Sequence, residues 1–396
     1  MNKNNSQALS WGLLATLAVA SSGLWPACTV NPDWDMSAST NTQPPRAEVI
    51  ANLLTHIGPN VVEPALIVFA EQARLLHEAV QVWRSEQDET SLEAAQQQWR
   101  TTMLSWQQLE TVQLGPAASA YRSVNGMDLR DEIYSWPMVN ACRVDVEVVE
   151  AEWNNEEYFT NNHVNVYGMD AIEYLLFSDS PDNFCPDQVA INKDGSWDAL
   201  GERGLARNRA DMAITLAGHV VDVSRTLYEE WASEYSATLA ERAQTIEAED
   251  DLDEMFGALY YLRQYTLEAK LCQPLGLSSC ADDKYDAEHA YSGLSLAAIH
   301  MNLVGARALF TGQSGPGLDD LLVWADQEDL LNTFLYEMDK AIEAAAALEA
   351  VEIIQPGDKR IISLHKDVED VTNLLFGDIA TVLMVEVPIV DFGHGD

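Results

Sequence analysis

The chain has 396 residues, 47% apolar and 21% charged, with 22 Lys and Arg against 63 Asp and Glu and a formal net charge of -41. That length exceeds the roughly 250 to 300 residues at which a single core stops growing, so it predicts two domains, each apolar enough to bury a core. The acidic balance repels phosphate backbones and excludes nucleic acid as a partner, while it suits either plain solubility or the drawing of cations into a cleft.

At the N-terminus, Lys3, the apolar stretch from Trp11 to Ala20 and the Ser-Ser-Gly that follows have the layout of a secretory signal over residues 1–28. The run Leu24-Trp25-Pro26-Ala27-Cys28 resembles a bacterial lipobox, in which Cys28 is lipidated and becomes the new N-terminus. Trp25 and Pro26 stand where Leu and a small residue are usual, with Leu24 one place early. The competing expectation is cleavage after Ala20, where Ala18 and Ala20 give a small-x-small pattern and leave a soluble periplasmic protein. Both readings export the chain to the bacterial envelope, and the first makes it an outer-membrane lipoprotein that meets the membrane only through its lipid. Residues 29–47, rich in Ser, Thr, Asn and Pro, read as a flexible tether.

Folding is expected from about Glu48. Leu66, Phe69, Ala73, Leu76, Val80 and Trp83 step by three and four, as do Leu92, Ala95, Trp99, Met103, Trp106 and Leu109, so two amphipathic helices are predicted. The same stepping runs through Leu294, Ala297, Met301, Val304 and Ala308, and through Leu364, Val368, Val371, Leu375, Ile379 and Val382. Strand alternation is not evident, and beyond the signal no apolar run approaches the roughly 20 residues of a membrane span. The expected fold is all-α: two helical bundles side by side, residues 48–203 and 204–396, divided in the polar stretch between Ser178 and Gly204, with a cleft between them as the default binding site.

Cys142, Cys185, Cys272 and Cys280 remain after Cys28, an even number in an exported chain, and predict two disulfides. Of three possible pairings, Cys272 with Cys280 closes a short loop around Pro274 and Gly276 and leaves Cys142 with Cys185. No CxxC pair occurs, which disfavours thiolate zinc and redox catalysis.

The segment Gly168-Met169-Asp170-Ala171-Ile172-Glu173 places a glycine at a helix start and two carboxylates on one helical face. Chemistry alone allows an acidic first turn favoured by the helix dipole, or a metal or acid–base site. His219 with Asp222 and His365 with Glu369 have the spacing of surface ion pairs, and His163 reaches the motif only if residues 161–165 fold back over it. No His-Glu-x-x-His or Gly-x-Ser-x-Gly occurs.

The same segment resembles the Gly-x-His-x-x-Glu signature of the imelysin family. Trp106, Glu110, Gln113, Gly115 and Pro116 resemble that family's Trp-rich helix ending in Gly-Pro, and Tyr134-Ser135-Trp136-Pro137 its Ser-Trp-Pro turn. Glu268-Ala269-Lys270, Pro274-Leu275-Gly276, Glu288, Tyr291-Ser292, Asn302 through Gly305 and the ending Asp391-Phe392-Gly393-His394-Gly395-Asp396 are also similar. The resemblance implies a role in bacterial iron uptake, with metal, haem or an envelope iron-uptake protein bound at the domain interface; the alternative it implies is a metallopeptidase. The family's His is Asp170 here, which removes an imidazole from the motif and argues against peptidase chemistry. Asp170 with Glu173 is an oxygen-only pair suited to iron or another hard cation. Gly168, Ser135, Trp136, Glu110 and Ser292 are the further motif positions expected around it.

Overall fold

A computed structural model describes residues 43–387 apart from 122, 179, 279 and 281–286. The signal, Cys28, the tether as far as residue 42 and the closing stretch from 391 to 396 lie outside the described residues. Every regular element among the described residues is helical.

Arg46–Ile57 passes through a single π-helical turn, Gly58–Val62, into Glu63–Glu86, making one continuous rod. All six of the stepped residues from Leu66 to Trp83 are buried. Contrary to the expectation that no such run follows the signal, the stretch from Arg46 to Glu86 is long and apolar enough to cross a membrane, judged by length and composition. Its apolar face is instead covered by protein, because Glu63–Glu86 packs against both Glu89–Leu109 and Ser196–Glu230. The turn after the rod is set by Gln87, whose left-handed φ of 52° ends the first helix, and by Asp88, whose carboxylate accepts the Ser91 N–H at 2.8 Å to cap the next.

Glu89–Leu109 packs in turn on Ser295–Thr311. Their approach is so close that a Cβ on Gly305 would stand 2.0 Å from the Gln108 carbonyl oxygen. The buried face of Ser295–Thr311 differs from the expected one: Leu296, Ile299, Leu303, Ala306 and Leu309 are fully buried, whereas Met301, Val304 and Ala308 are half-exposed. The helix is apolar almost all round, so its periodicity could not fix the phase. In Lys359–Leu374 the expected stripe holds as far as Ile379, and then Leu383 takes the buried place foreseen for Val382. The π-helical turn Leu375–Ile379 adds a residue to one turn and rotates the phase.

Elements from either side of residue 203 alternate in space, and one continuous core runs through them. The expected boundary falls within Ser196–Glu230, just past Gly201, whose φ of 58° and ψ of 174° break that helix. Both disulfides form with the expected pairing, Cys142 with Cys185 and Cys272 with Cys280.

Candidate functional site

Trp99, Trp106 and Gln107 lie on one side of Glu89–Leu109, with Glu110 just past its end, and across from them runs a π-helix, Leu262–Cys272, that carries Lys270. The wider turn of a π-helix is uncommon over 11 residues and recurs at functional sites. The Lys270 ammonium is buried and makes four contacts: Gln107 Oε1 at 2.8 Å, Asn302 Oδ1 at 2.9 Å, Glu288 Oε1 at 2.9 Å and Glu110 Oε2 at 3.4 Å. Asn302 closes the frame by donating to both the Gln107 carbonyl and its side-chain oxygen at 2.8 Å. A second cation, Arg130, reaches Glu110 Oε1 at 3.4 Å, and the Tyr261 hydroxyl donates to Glu110 Oε2. Two buried carboxylates thus face two buried cations, an arrangement that burial alone would forbid.

Glu288 Oε1 also accepts from the Tyr134 hydroxyl at 2.7 Å and from Gln107 Nε2 at 3.2 Å. Burial pushes its carboxyl up, but Lys270, His289 and the hydrogen bonds from Lys270 and Tyr134 outweigh burial and hold it below the usual range. For Tyr134 burial and the neighbouring Glu288 act together, so the phenol stays protonated and donating.

His289 connects this cluster to the motif. Its Nδ1 lies 3.1 Å from Glu173 Oε2, and the Ser292 N–H donates to Glu173 Oε1 at 2.9 Å. The ring stacks on Tyr134 and meets Trp99 edge-on, with centroids 5.7 and 5.4 Å away. Burial lowers the affinity of this imidazole for a proton, and Glu288 and Glu173 more than restore it. Its backbone is held at a left-handed φ of 57°, uncommon for a residue with a side chain.

Asp170 is held by a different set of groups. Its Oδ2 is 3.0 Å from the Ser135 hydroxyl and its Oδ1 accepts the Ala171 N–H at 3.0 Å; Ser135 also donates to the Val164 carbonyl at 2.9 Å. Burial pushes the carboxyl up to about 7, against the lowering effect of these hydrogen bonds. Gly168 initiates the helix at a φ of 96°, where a Cβ would meet the Ile133 carbonyl at 3.0 Å. Trp136 is buried and its bond to Pro137 is cis.

The fold therefore brings the expected positions 110, 135, 170, 173 and 292 into adjoining parts of one buried polar seam. Asp170 and Glu173 are each committed to a different set of protein groups, and among the described residues no three His, Cys, Asp or Glu side chains are arranged to hold a metal. Sequence reasoning missed His289 altogether and gave Lys270 no role. The only available signal was that both lie in or beside segments already singled out, Glu268 to Lys270 and Glu288. His219 pairs with Glu132 at 2.9 Å and stacks on Phe159, not with Asp222, which Arg225 takes; His365 is buried rather than on the surface; His163 is exposed while Asp170 is buried.

At the outer edge of the seam lies a pocket of about 180 Å³. Arg130, Tyr261 and Tyr265 line it alongside Asp128, Asp131, Asp253 and Glu254. Arg130 and Tyr261 are the same groups that reach Glu110, so the pocket wall and the buried cluster share side chains.

An all-helical body with a buried ionic seam between its first and second halves, opening at one edge into a pocket, defines the class of protein. The chain belongs to the Imelysin family, whose model matches residues 64–375. Among solved structures, an imelysin-like protein from Psychrobacter arcticum is similar over 87% of this chain and 98% of its own, with 18% identity and a TM-score of 0.67. A protein from Parabacteroides distasonis described as an iron-regulated protein A precursor covers 87% of this chain and 97% of its own, with 17% identity and a TM-score of 0.65. No curated protein matches the chain.

Proposed function

We propose that this protein is an exported binding protein of bacterial iron acquisition, which holds its ligand in the pocket between residues 113–131 of its first half and 253–265 of its second. The observation that carries the reading is the sharing of Arg130 and Tyr261 between that pocket and the buried seam, so that an occupant touches groups tied to both halves. Family membership and the likeness to an iron-regulated protein A precursor support the link to iron. In the same proposal Cys28 carries the lipid that tethers the body to the envelope, and the partner is haem, a metal ion or an envelope iron-uptake protein. The proposal does not extend to peptide hydrolysis, because Glu173 is engaged by His289 and Ser292 and Asp170 by Ser135.

Growth of a deletion strain under iron limitation tests this reading, with complementation by wild type and by a pocket variant, Tyr265→Ala. A deletion strain that grows and accumulates iron like its parent defeats the proposal. Complementation by wild type but not by the correctly folded pocket variant supports it.

A further inference from the structure

The pocket has a charge pattern that selects its ligand. Among the described residues four carboxyls line it, and the one cation described there, Arg130, is already matched by Asp131 at 2.7 Å and Glu110 at 3.4 Å. Among the described residues the hydrogen bonds to the other three come from neutral donors, with Arg242 acting on Glu254 only at longer range. Asp128 accepts from the Ala120 N–H at 3.2 Å, Asp253 from the Glu386 N–H at 2.9 Å, and Glu254 from the Ser123 hydroxyl. Hydrogen bonds from neutral groups solvate a carboxylate without cancelling its charge, so the described lining is anionic.

A bare metal ion would answer charge, but not shape. Among the described residues the pocket carboxyls belong to no group of three or more His, Cys, Asp or Glu arranged to hold an ion. Between them lie apolar and aromatic surfaces: Ala117, Gly257 and the stacked rings of Tyr261 and Tyr265, with centroids 4.8 Å apart and planes at 23°. These rings already accept cations on their faces, Lys270 over Tyr261 at 5.2 Å and Arg130 over Tyr265 at 5.8 Å. A space of about 180 Å³ takes a chain of several heavy atoms.

Resting on the reading that this pocket is the ligand site, we propose that it binds a small organic cation: a protonated amine or guanidinium carried on a short apolar stem. The cationic head lies among Asp128, Asp253 and Glu254, and the stem lies against the two tyrosines. Burial holds the carboxyls of Asp253 and Glu254 above their usual range, a cost that an arriving cation relieves. The same head group reaches the pocket on a free amine or on a Lys or Arg side chain of a peptide.

Calorimetric titration of the whole mature chain with agmatine tests the proposal, with a blocked Gly-Arg-Gly peptide, calcium chloride and butyrate as separate arms. Saturable binding of agmatine is expected, weakened by about 0.5 M NaCl and absent for butyrate. Asp253→Asn and Glu254→Gln should each weaken it at least about fivefold, while Glu343→Gln, on an exposed helix face far along the chain, should not. Ala118→Leu, which narrows the pocket without touching charge, should weaken it as well. Binding of the peptide with free agmatine excluded would identify a protein-borne head group; binding of both identifies a free amine as sufficient. Absence of binding by either, equal loss in Glu343→Gln, or calcium binding that the pocket variants abolish while agmatine stays silent would overturn the proposal. Agmatine binding in a protein whose deletion leaves iron uptake unchanged would uphold this inference and defeat only the iron assignment.

Discussion

Glu173 and His289, 116 positions apart in sequence, meet at 3.1 Å in the core, and the same carboxylate takes the Ser292 N–H on its other oxygen. One side chain thereby fixes the turn that carries Glu288, His289 and Ser292 against the motif helix Met169–Phe177. Glu173→Gln preserves shape but gives only one accepting oxygen where two are used. A loss of about 1 to 3 kcal/mol in denaturant unfolding is expected, with the His289 imidazole titrating lower by NMR because one of its two carboxylate partners is gone. Unchanged stability together with an unmoved His289 titration would contradict this account.

Asp170 gives a pH dependence whose sign follows from burial. Its folded value of about 7 lies above the ordinary 3.8, so between those values the folded state holds the proton more tightly than the unfolded chain. Its contribution to stability is fully present below pH 3.8 and declines as pH rises to about 7, by up to roughly 4 kcal/mol at about 1.4 kcal/mol per pKa unit. Asp170→Asn removes the titration while keeping a group that can bond Ser135. The variant should match wild type near pH 4 and exceed it in stability at pH 8, and chemical denaturation at the two pH values measures the difference.

Lys270 and Glu288 form the shorter of the two ion pairs that Lys270 makes in the seam, at 2.9 Å with both side chains about 1% exposed. Removing one partner strands a buried charge, so Lys270→Met and Glu288→Gln should each cost about 3 to 5 kcal/mol. The double variant should cost clearly less than the sum of the two. A double-mutant cycle in denaturant reads the coupling directly, and strict additivity would show that the pair does not act as a unit.

How far this seam was legible in the sequence depends on the range of the physics involved. The stripe from Leu66 to Trp83 needed only the period of an α-helix, and the structure buries all six residues. Glu110 and Glu288 could be noticed through family-like segments, but their shared partner Lys270 comes from a third segment, and nothing local says that the three converge. His289 was invisible for a related reason: its partner Glu173 lies on another element, so no short spacing betrays the pair. The phase of Ser295–Thr311 was misread because that helix is packed on nearly every side and leaves little polar face to count from.

That close packing yields the last prediction, at Gly305. In an exposed helix, replacing Gly by Ala gains about 1 kcal/mol, since Ala restricts the unfolded chain and suits helical dihedrals. Gly305 sits within Ser295–Thr311 at ordinary helical dihedrals, so backbone preference favours the substitution here too. Packing opposes it. The new Cβ would stand 2.0 Å from the Gln108 carbonyl oxygen and 2.9 Å from its carbon, both backbone atoms of Glu89–Leu109 that no rotamer change can move aside. The two helices must separate, and Asn302, one turn before Gly305, would be drawn off the Gln107 carbonyl and side chain that it holds at 2.8 Å. Gly305→Ala should therefore destabilise by more than about 2 kcal/mol, reversing the usual sign, and Gly305→Val by more still. Hydrogen exchange should rise around Gln107 and Asn302 before it rises at the distant helix Lys359–Leu374. A Gly305→Ala variant as stable as wild type would mean that the two helices are not pressed together as the structure has them.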